Sequence, residues 1–462
     1  MTKRMAVILA AGKGTRMKSD LYKVMHPVNG LPMIDHVMRA VEQSDIDDIV
    51  TIVGHGAEMV KEALGERSQY ALQEEQLGTG HAVQQAAEQL EGVQGNTLVI
   101  CGDTPLLTSE TLSALFKHHE ETGAKGTILS SVIDNPTGYG RVIRAEDASV
   151  SHIVEEKDAS DTERQVQEIN TGTYVFDNQA LFDMLSKVSN DNAQGEYYLP
   201  DVIGLLKEAG ELVQAYPMAD ADEGLGVNDR IALAEATRIM TQRINTWHMR
   251  QGVTFYSPET TYIEADVEIG SDTILESGVS LKGQTQIGSH CHIGANSEIV
   301  DSTLADHVRV TQSVIEHAKI ASHADVGPFA HLRPQADIGE GVHIGNFVEV
   351  KNATIGKSTK AGHLAYIGDA DVGENVNIGC GAIFVNFDGK HKFRSNIGDD
   401  AFIGSNSNIV APINIGDRAF IAAGSTIVED VEDEQLAITR SKQSNIEHYW
   451  DKLQKRWKEA EK

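Results

Sequence analysis

Four cations crowd the turn that follows the first apolar run. In MAVILAAGKGTRMKSDLYKVM (residues 5–25), Lys13, Arg16, Lys18 and Lys23 surround Gly12 and Gly14. A strand that runs into a glycine loop with free N–H groups and cationic side chains is suited to holding phosphate oxygens. The spacing is not that of G-x-x-x-x-G-K-[ST], and Met17 stands where G-x-G-x-x-G/A needs a small residue. The chain around the loop is acidic, with 68 Asp and Glu against 39 Lys and Arg. Such a surface repels nucleic acid and anionic membrane, so neither is an expected partner, and an anionic ligand must be held by a local basic cluster.

The elements that position this loop alternate between strand-like and helix-like segments up to about Asp229. DIVTIVG (48–54), TLVICGD (97–103) and TYVFD (173–177) read as strands, and Ile34–Gln43 and His81–Leu90 as amphipathic helices. This alternation predicts a mostly parallel sheet covered on both faces, with ligands at the carboxyl ends of strands, where the opening loop and CGDTPLL both fall. IALAEATRIMTQRINTWHMRQ (231–251) is one uninterrupted helical stretch with Gly252 as its stop, and reads as a connector.

Beyond it the period changes. Apolar residues recur at every sixth position through Ile263, Ile269, Leu275, Leu281, Ile287, Ile293 and Ile299. The beat returns through Val326, Leu332, Ile338, Ile344 and Val350, and again from Ile397 to Ile427. Neither a helix nor a flat strand has this period, whereas a hexapeptide β-helix does, each sixth residue pointing into a triangular coil. The glycine that often follows is expected at a corner, where bulk or negative φ is costly. VNFDGKHKFRS (385–395) interrupts the beat as a basic insertion carrying Lys390, His391, Lys392 and Arg394. After Val431 the chain leaves the repeat for a terminal helix, with Ser444 and Glu447 as its expected capping box. Three dispersed cysteines offer no disulfide framework or zinc pair, and no stretch reaches the length of a membrane span, which together predict a soluble cytoplasmic protein.

LAAGKGTRM, QLGTGHAV, NTGTY, the sixfold beat and KSTKAGHLAYIGDA follow one another in a set order. Over essentially all 462 residues the chain resembles the bacterial bifunctional N-acetylglucosamine-1-phosphate uridyltransferase/glucosamine-1-phosphate acetyltransferases. The resemblance implies an α/β, Rossmann-like nucleotidyltransferase domain over residues 1–229 and a linker helix over 230–251. A left-handed parallel β-helix acetyltransferase domain with a helical tail then spans 252–462.

It also implies residue roles. Leu9, Ala10, Ala11 and Gly12 line the nucleotide, and Arg16 and Lys23 neutralise the reacting phosphates of UTP. Gln73, Gly78 and Thr79 read the uracil, while Gly140, Glu155 and Asn170 hold sugar and ribose. Asp103 and Asn228 bind Mg2+, as hard oxygen donors that leave room for water and phosphate. In the repeats, Arg333, Lys351, Tyr366 and Asn377 hold the acetyl acceptor, His363 is the base and Glu349 orients it. Cys380, Asn386, Phe387, Ser405, Ala423 and Arg440 receive acetyl-CoA, with Cys380 and Phe387 departing from the commoner alanine and tyrosine. The expected assembly is a homotrimer. A rival reading, a single-function nucleotidyltransferase whose repeats serve assembly or control, leaves Arg333, Lys351, His363 and the basic insertion unexplained.

Overall fold

The computed structural model describes residues 2–146, 149–192 and 194–461. The chain divides into two compact units, Met1–Ile244 and Asn245–Lys462.

The first unit is built on a nine-stranded sheet. Its central strand, Arg4–Ala10, pairs in parallel with Asp48–Val53 and Asn96–Cys101, and Gln69–Leu72 extends the first of these. Glu168–Asp177 runs antiparallel to Asn96–Cys101 and to Gly126–Val132. Alternate residues of the central strand serve opposite faces. Met5 and Val7 join one apolar cluster while Ala6, Ile8 and Ala10 join the other, as a sheet covered on both sides requires. Helices fall at Met33–Glu42 and Ser109–Thr122, among others. The helix expected over His81–Leu90 is broken into Thr79–Gln84 and Ala87–Leu90. There the Gln85 side-chain amide takes the His81 carbonyl at 2.9 Å, and the Gln85 backbone N–H turns to Ala82 instead. A local side-chain bond has displaced a helical one. The helix expected at the end of this region spans Arg230–Arg250, and Gly252 follows it in the left-handed region, at φ +95°.

The second unit is a β-helix of short parallel strands in an eleven-stranded and a seventeen-stranded sheet. Tyr262 pairs with Ser280, Gln286 with Thr303 and Glu298 with Val314, so a coil consumes eighteen, seventeen or sixteen residues. That variation explains why the sixfold beat lapses after Ile299. Leu304, Val310, Ile315 and Ile320 continue the buried columns at spacings of five as well as six. The insertion leaves the coil without breaking it, because Ala370 still pairs with Ser395 on the far side.

The glycines after the sixth residue do a different job from the one expected. Gly288 has no positive φ, and a Cβ there would lie 2.7 Å from the Ala305 carbonyl carbon of the next coil. The left-handed corner falls two residues later, at Asp272, His290, Asn296 and their equivalents. Close stacking of coils excludes the side chain, and the corner conformation is carried largely by residues that tolerate it. The terminal helix begins at Tyr449, so Ser444 and Glu447 are not its cap. His448 is the N-cap and its ring lies 3.6 Å from Asp451 in the first turn. No helix among the described residues is long and apolar enough to cross a membrane.

Candidate functional sites

In the first unit, the carboxyl ends of the central strands open onto a cavity of about 420 Å³. Leu9, Ala10, Ala11, Gly12, Lys23, Gln73, Gly78, Thr79 and Asp103, all among the expected site residues, line it. Gln76, Cys101 and Glu196 line it as well and were not foreseen as ligand contacts. The loop's tight turn depends on Gly14, at φ +61°, where a Cβ would strike the Lys23 side chain at 2.4 Å. Met17, out of place in a dinucleotide fingerprint, is buried, and Arg230 Nε donates to its carbonyl at 3.2 Å.

Two cations meet two oxygens at the mouth. The Lys23 ammonium contacts the Asp103 carboxylate and donates to Asn228 Oδ1 at 3.2 Å, and Arg16 donates to the same oxygen at 2.9 Å. Asp103 and Asn228 therefore aim at one point already favourable to a cation, which fits a hard divalent ion. Burial, reinforced by the Asp103 charge, pushes the Cys101 thiol up to about 12, so it is an uncharged wall.

Gln73 is buried, and its Nε2 donates to the Gly78 carbonyl at 3.2 Å and lies 3.0 Å from His81 Nδ1. With both N–H groups engaged, its Oε1 is the atom left to accept from a base edge. Thr79 Oγ1 accepts from the Leu199 N–H at 3.0 Å, fixing the glycine turn against the neighbouring chain. Gly140, Glu155 and Asn170 gather with one another rather than in the cavity wall. Gly140 pairs with Asn170, and a Cβ on Gly140 would lie 3.2 Å from Glu155 Oε1. Burial, with Asp158 and Asp201 nearby, raises the Glu155 pKa.

In the second unit, coil stacking brings together residues far apart in sequence. Arg333 Nη1 donates to Glu349 Oε1 at 2.7 Å, and Glu349 stands beside Tyr366 in register. Lys351 Nζ lies 3.5 Å from both Asp369 oxygens, while Asn352 and Asn386 donate to the same carboxylate. Burial opposes the charge on Asp369, but these two amides and Lys351 outweigh it and hold its pKa below the ordinary carboxylate range. Lys392, from the insertion, adjoins Lys351. Contact with that amine, and the repulsion that accompanies it, lowers the Lys392 pKa. Arg394 is committed elsewhere, to Asp371 and to the carbonyls of Asn352 and Ala370.

Two assignments change here. Glu349 is held by Arg333, and the residue that orients His363 is Asn346, whose Oδ1 lies 2.8 Å from Nδ1. Asn386, expected with the acetyl-CoA set, is buried beside Asp369 in the cluster around Lys351, with its Nδ2 3.3 Å from the Tyr366 hydroxyl. Phe387 is exposed at the root of the insertion, opposite Lys392. Asn377 is exposed on the adjoining sheet in register with Lys360, and among the described residues no hydrogen bond joins it to the cluster.

The remaining residues form a column. Asn346, His363, Cys380, Ser405 and Ala423 each immediately precede the same corner in successive coils, a corner stitched by backbone bonds such as Gly381 N–H to Leu364 O and Asn406 N–H to Cys380 O. Arg440 caps the series, Nη1 donating to the Ala423 carbonyl at 2.9 Å. His363 and the residues expected to receive acetyl-CoA thus share one edge of the β-helix.

An α/β unit whose cavity is lined by a cationic glycine loop, followed in the chain by a β-helix with a basic polar cluster, defines a nucleotidyltransferase joined to a hexapeptide-repeat transferase. The nucleotidyl transferase family profile matches residues 5–247, and the bacterial transferase hexapeptide profile matches 262–301 and 394–429. The protein of Enterococcus faecalis named bifunctional protein GlmU is 62% identical over 98% of this chain and 99% of its own. Those of Latilactobacillus sakei and an Exiguobacterium species, with the same name, are each 58% identical, over 98% and 96% of this chain and 98% and 99% of theirs. The chain belongs to the GlmU family of bifunctional bacterial enzymes.

Proposed function

We propose that the second unit moves acetyl from acetyl-CoA to glucosamine 1-phosphate, and that the first joins the resulting N-acetylglucosamine 1-phosphate to UTP with release of pyrophosphate. The observation that carries this reading is the presence of two separate polar clusters, each inside its own compact unit. The domains are read as residues 1–229 and 252–462, joined by the helical segment 230–251.

For uridyl transfer the nucleophile, a phosphate oxygen, is already ionised. Positioning two anions is most of the work, and Lys23, Arg16 and the N–H groups of the loop supply it. Asp103 and Asn228 would hold Mg2+, which when bound adds positive charge at the phosphates. Gln73 Oε1 accepts from the uracil N3–H, a position where cytosine offers no proton. For acetyl transfer, the acceptor amine must lose a proton as it attacks. His363 takes it at Nε2, because Asn346 Oδ1 receives the Nδ1–H. Arg333, Lys351 and Lys392 meet the sugar phosphate.

The proposed assembly is a homotrimer in the cytoplasm. Phe329, Phe347 and Leu364 stand exposed at the corner beside His363, an apolar strip that a second copy under cyclic symmetry would cover.

The two activities are separable. Asp103→Ala is expected to abolish UDP-sugar formation and leave CoA release from acetyl-CoA and glucosamine 1-phosphate near normal, and His363→Ala to do the reverse. If either variant lost both reactions while retaining its circular dichroism spectrum, the two-site reading would fall.

A further inference from the structure

Arg141 is among the largest fully buried side chains of the described residues, with 1% of its surface exposed. Its surroundings explain neither its charge nor its length by packing alone. It stands in the strand Gly140–Arg144, one residue from Gly140. Its Nη1 donates to the Tyr139 carbonyl, and its Nη2 donates to Glu156 Oε2 at 2.7 Å and to the Arg164 carbonyl at 3.3 Å. Its Nε has no hydrogen-bond partner among the described residues. One guanidinium thus ties the residue before Gly140 to the residue after Glu155 and to the far end of the excursion that leaves the sheet between Val154 and Glu168.

That excursion is tightly wound near its start. The Asp158 and Ala159 N–H groups donate to the Glu155 carbonyl at 3.0 and 2.9 Å. Ala159 is buried, and Lys157 reaches across to Gln194 at 2.8 Å. Gly140 pairs with Asn170, and Glu155 Oε1 lies against Gly140 so closely that a Cβ would meet it at 3.2 Å. The three positions read as the sugar and ribose contacts are therefore neighbours, and the bonds from Arg141 hold two of the three chain segments that carry them.

A charge buried this completely is costly, and an apolar pair of similar volume often packs as well or better. What the apolar pair cannot do is fix a carbonyl, a carboxylate and a second carbonyl at set distances from one planar fork. We infer that Arg141, with Glu156, is a positioning residue for uridyl transfer: it holds Gly140 and Glu155 at the spacing that the sugar 1-phosphate requires. This inference rests on the uridyl-transfer reading proposed above. It predicts that the acceptor sugar senses the loss of the fork more than the nucleotide, of which only the ribose adjoins this cluster while Gln73 and the loop at Gly12–Gly14, on other elements, keep the base and phosphates.

The test uses the full-length enzyme and two variants. Arg141→Lys keeps the charge and most of the length but cannot reach three acceptors at once. The double variant Arg141→Met/Glu156→Leu keeps the volume without a buried charge. In both, KM for N-acetylglucosamine 1-phosphate should rise about tenfold to a hundredfold, the scale of a misplacement of about 1 Å. KM for UTP should stay within about twofold and the melting temperature should be maintained. Acetyl transfer by the second unit reports in the same tube that the chain is intact. Unchanged sugar KM in both variants overturns the inference. So does a parallel rise in both KM values with a lowered melting temperature, which would make Arg141 a support of the fold only. Absence of UDP-sugar formation by the wild-type enzyme would instead overturn the reading on which the inference rests.

Discussion

His363 illustrates how one hydrogen bond decides what a side chain can do. With Asn346 Oδ1 accepting from Nδ1–H, the lone pair is on Nε2 and the ring cannot rotate freely. Asn346→Ala should lower kcat of acetyl transfer by about tenfold, a fraction of the 10²–10⁴ that a general base supplies. Asn346→Asp, which keeps the acceptor, should retain most of the rate, and KM for acetyl-CoA should hardly move in either. Steady-state kinetics with the acceptor saturating decides it. At this scale the sequence was only partly legible. His363 and Tyr366 stand in a motif that carries its own address, whereas Asn346 belongs to no motif. Its one signal is that it lies seventeen residues before His363, a coil's length in a β-helix, and only the register of the coils gives that spacing meaning. The carried-over role of Glu349 failed for a related reason, since Arg333, one coil below, already holds it.

The coil is the element that turns distant residues into neighbours, and its tolerance is set by glycine. A Cβ on Gly345 would lie 1.9 Å from the Gly362 carbonyl oxygen of the adjoining coil, a collision with backbone that cannot rotate away. Gly345→Ala should therefore cost at least the 1–3 kcal/mol typical of overpacking, roughly, and take acetyl transfer with it while uridyl transfer persists. Differential scanning calorimetry beside both assays would read this directly. The repeat was the most legible element, because a sixfold beat has no competing explanation. It faded where pentapeptides replaced hexapeptides between Ile299 and Val326, although the core columns did not. The helix over His81–Leu90 misled for the opposite reason: its apolar pattern was sound, but Gln85 competes for a backbone carbonyl, a contest that periodicity does not register.

For the molecule as a whole, two buried histidines that the proposed chemistry does not use, His119 in the first unit and His248 in the second, couple folding to pH. Desolvation lowers the pKa of His119, hydrogen-bonded to Thr127 at 2.8 Å, to about 4, and does the same to His248. In the unfolded chain these rings take a proton below about pH 6.5, whereas in the folded chain they resist until about 4. Folding is favoured fully above that window and is weakened as pH falls through it, by a few kcal/mol for each ring. Melting temperature should decline from pH 7 toward pH 4.5, and His119→Gln should flatten the part of the decline belonging to the first unit. Loss of the tail tests the assembly and the second site together. Truncation after Val431 removes Arg440, and should spare uridyl transfer while abolishing acetyl transfer. Light scattering of the intact chain should give three times the 50.1 kDa of one subunit.

The column that runs from His363 through Cys380 and Ser405 to Ala423 has a metric consequence. Parallel strands in a stack sit about 4.8 Å apart, so three steps along this edge measure roughly 14 Å, and the level of Arg440 lies about one step further. The β-helix is in this sense a ruler graduated in coils. Under the proposed reading, the arm of the acyl carrier is matched to it as a whole number of graduations between the proton acceptor at one end and the guanidinium at the other. The insertion at residues 385–395 bulges outward and leaves the graduation intact. A coil added or removed within this interval would shift the two ends by a full graduation, delivering a thioester of the right chemistry to the wrong mark.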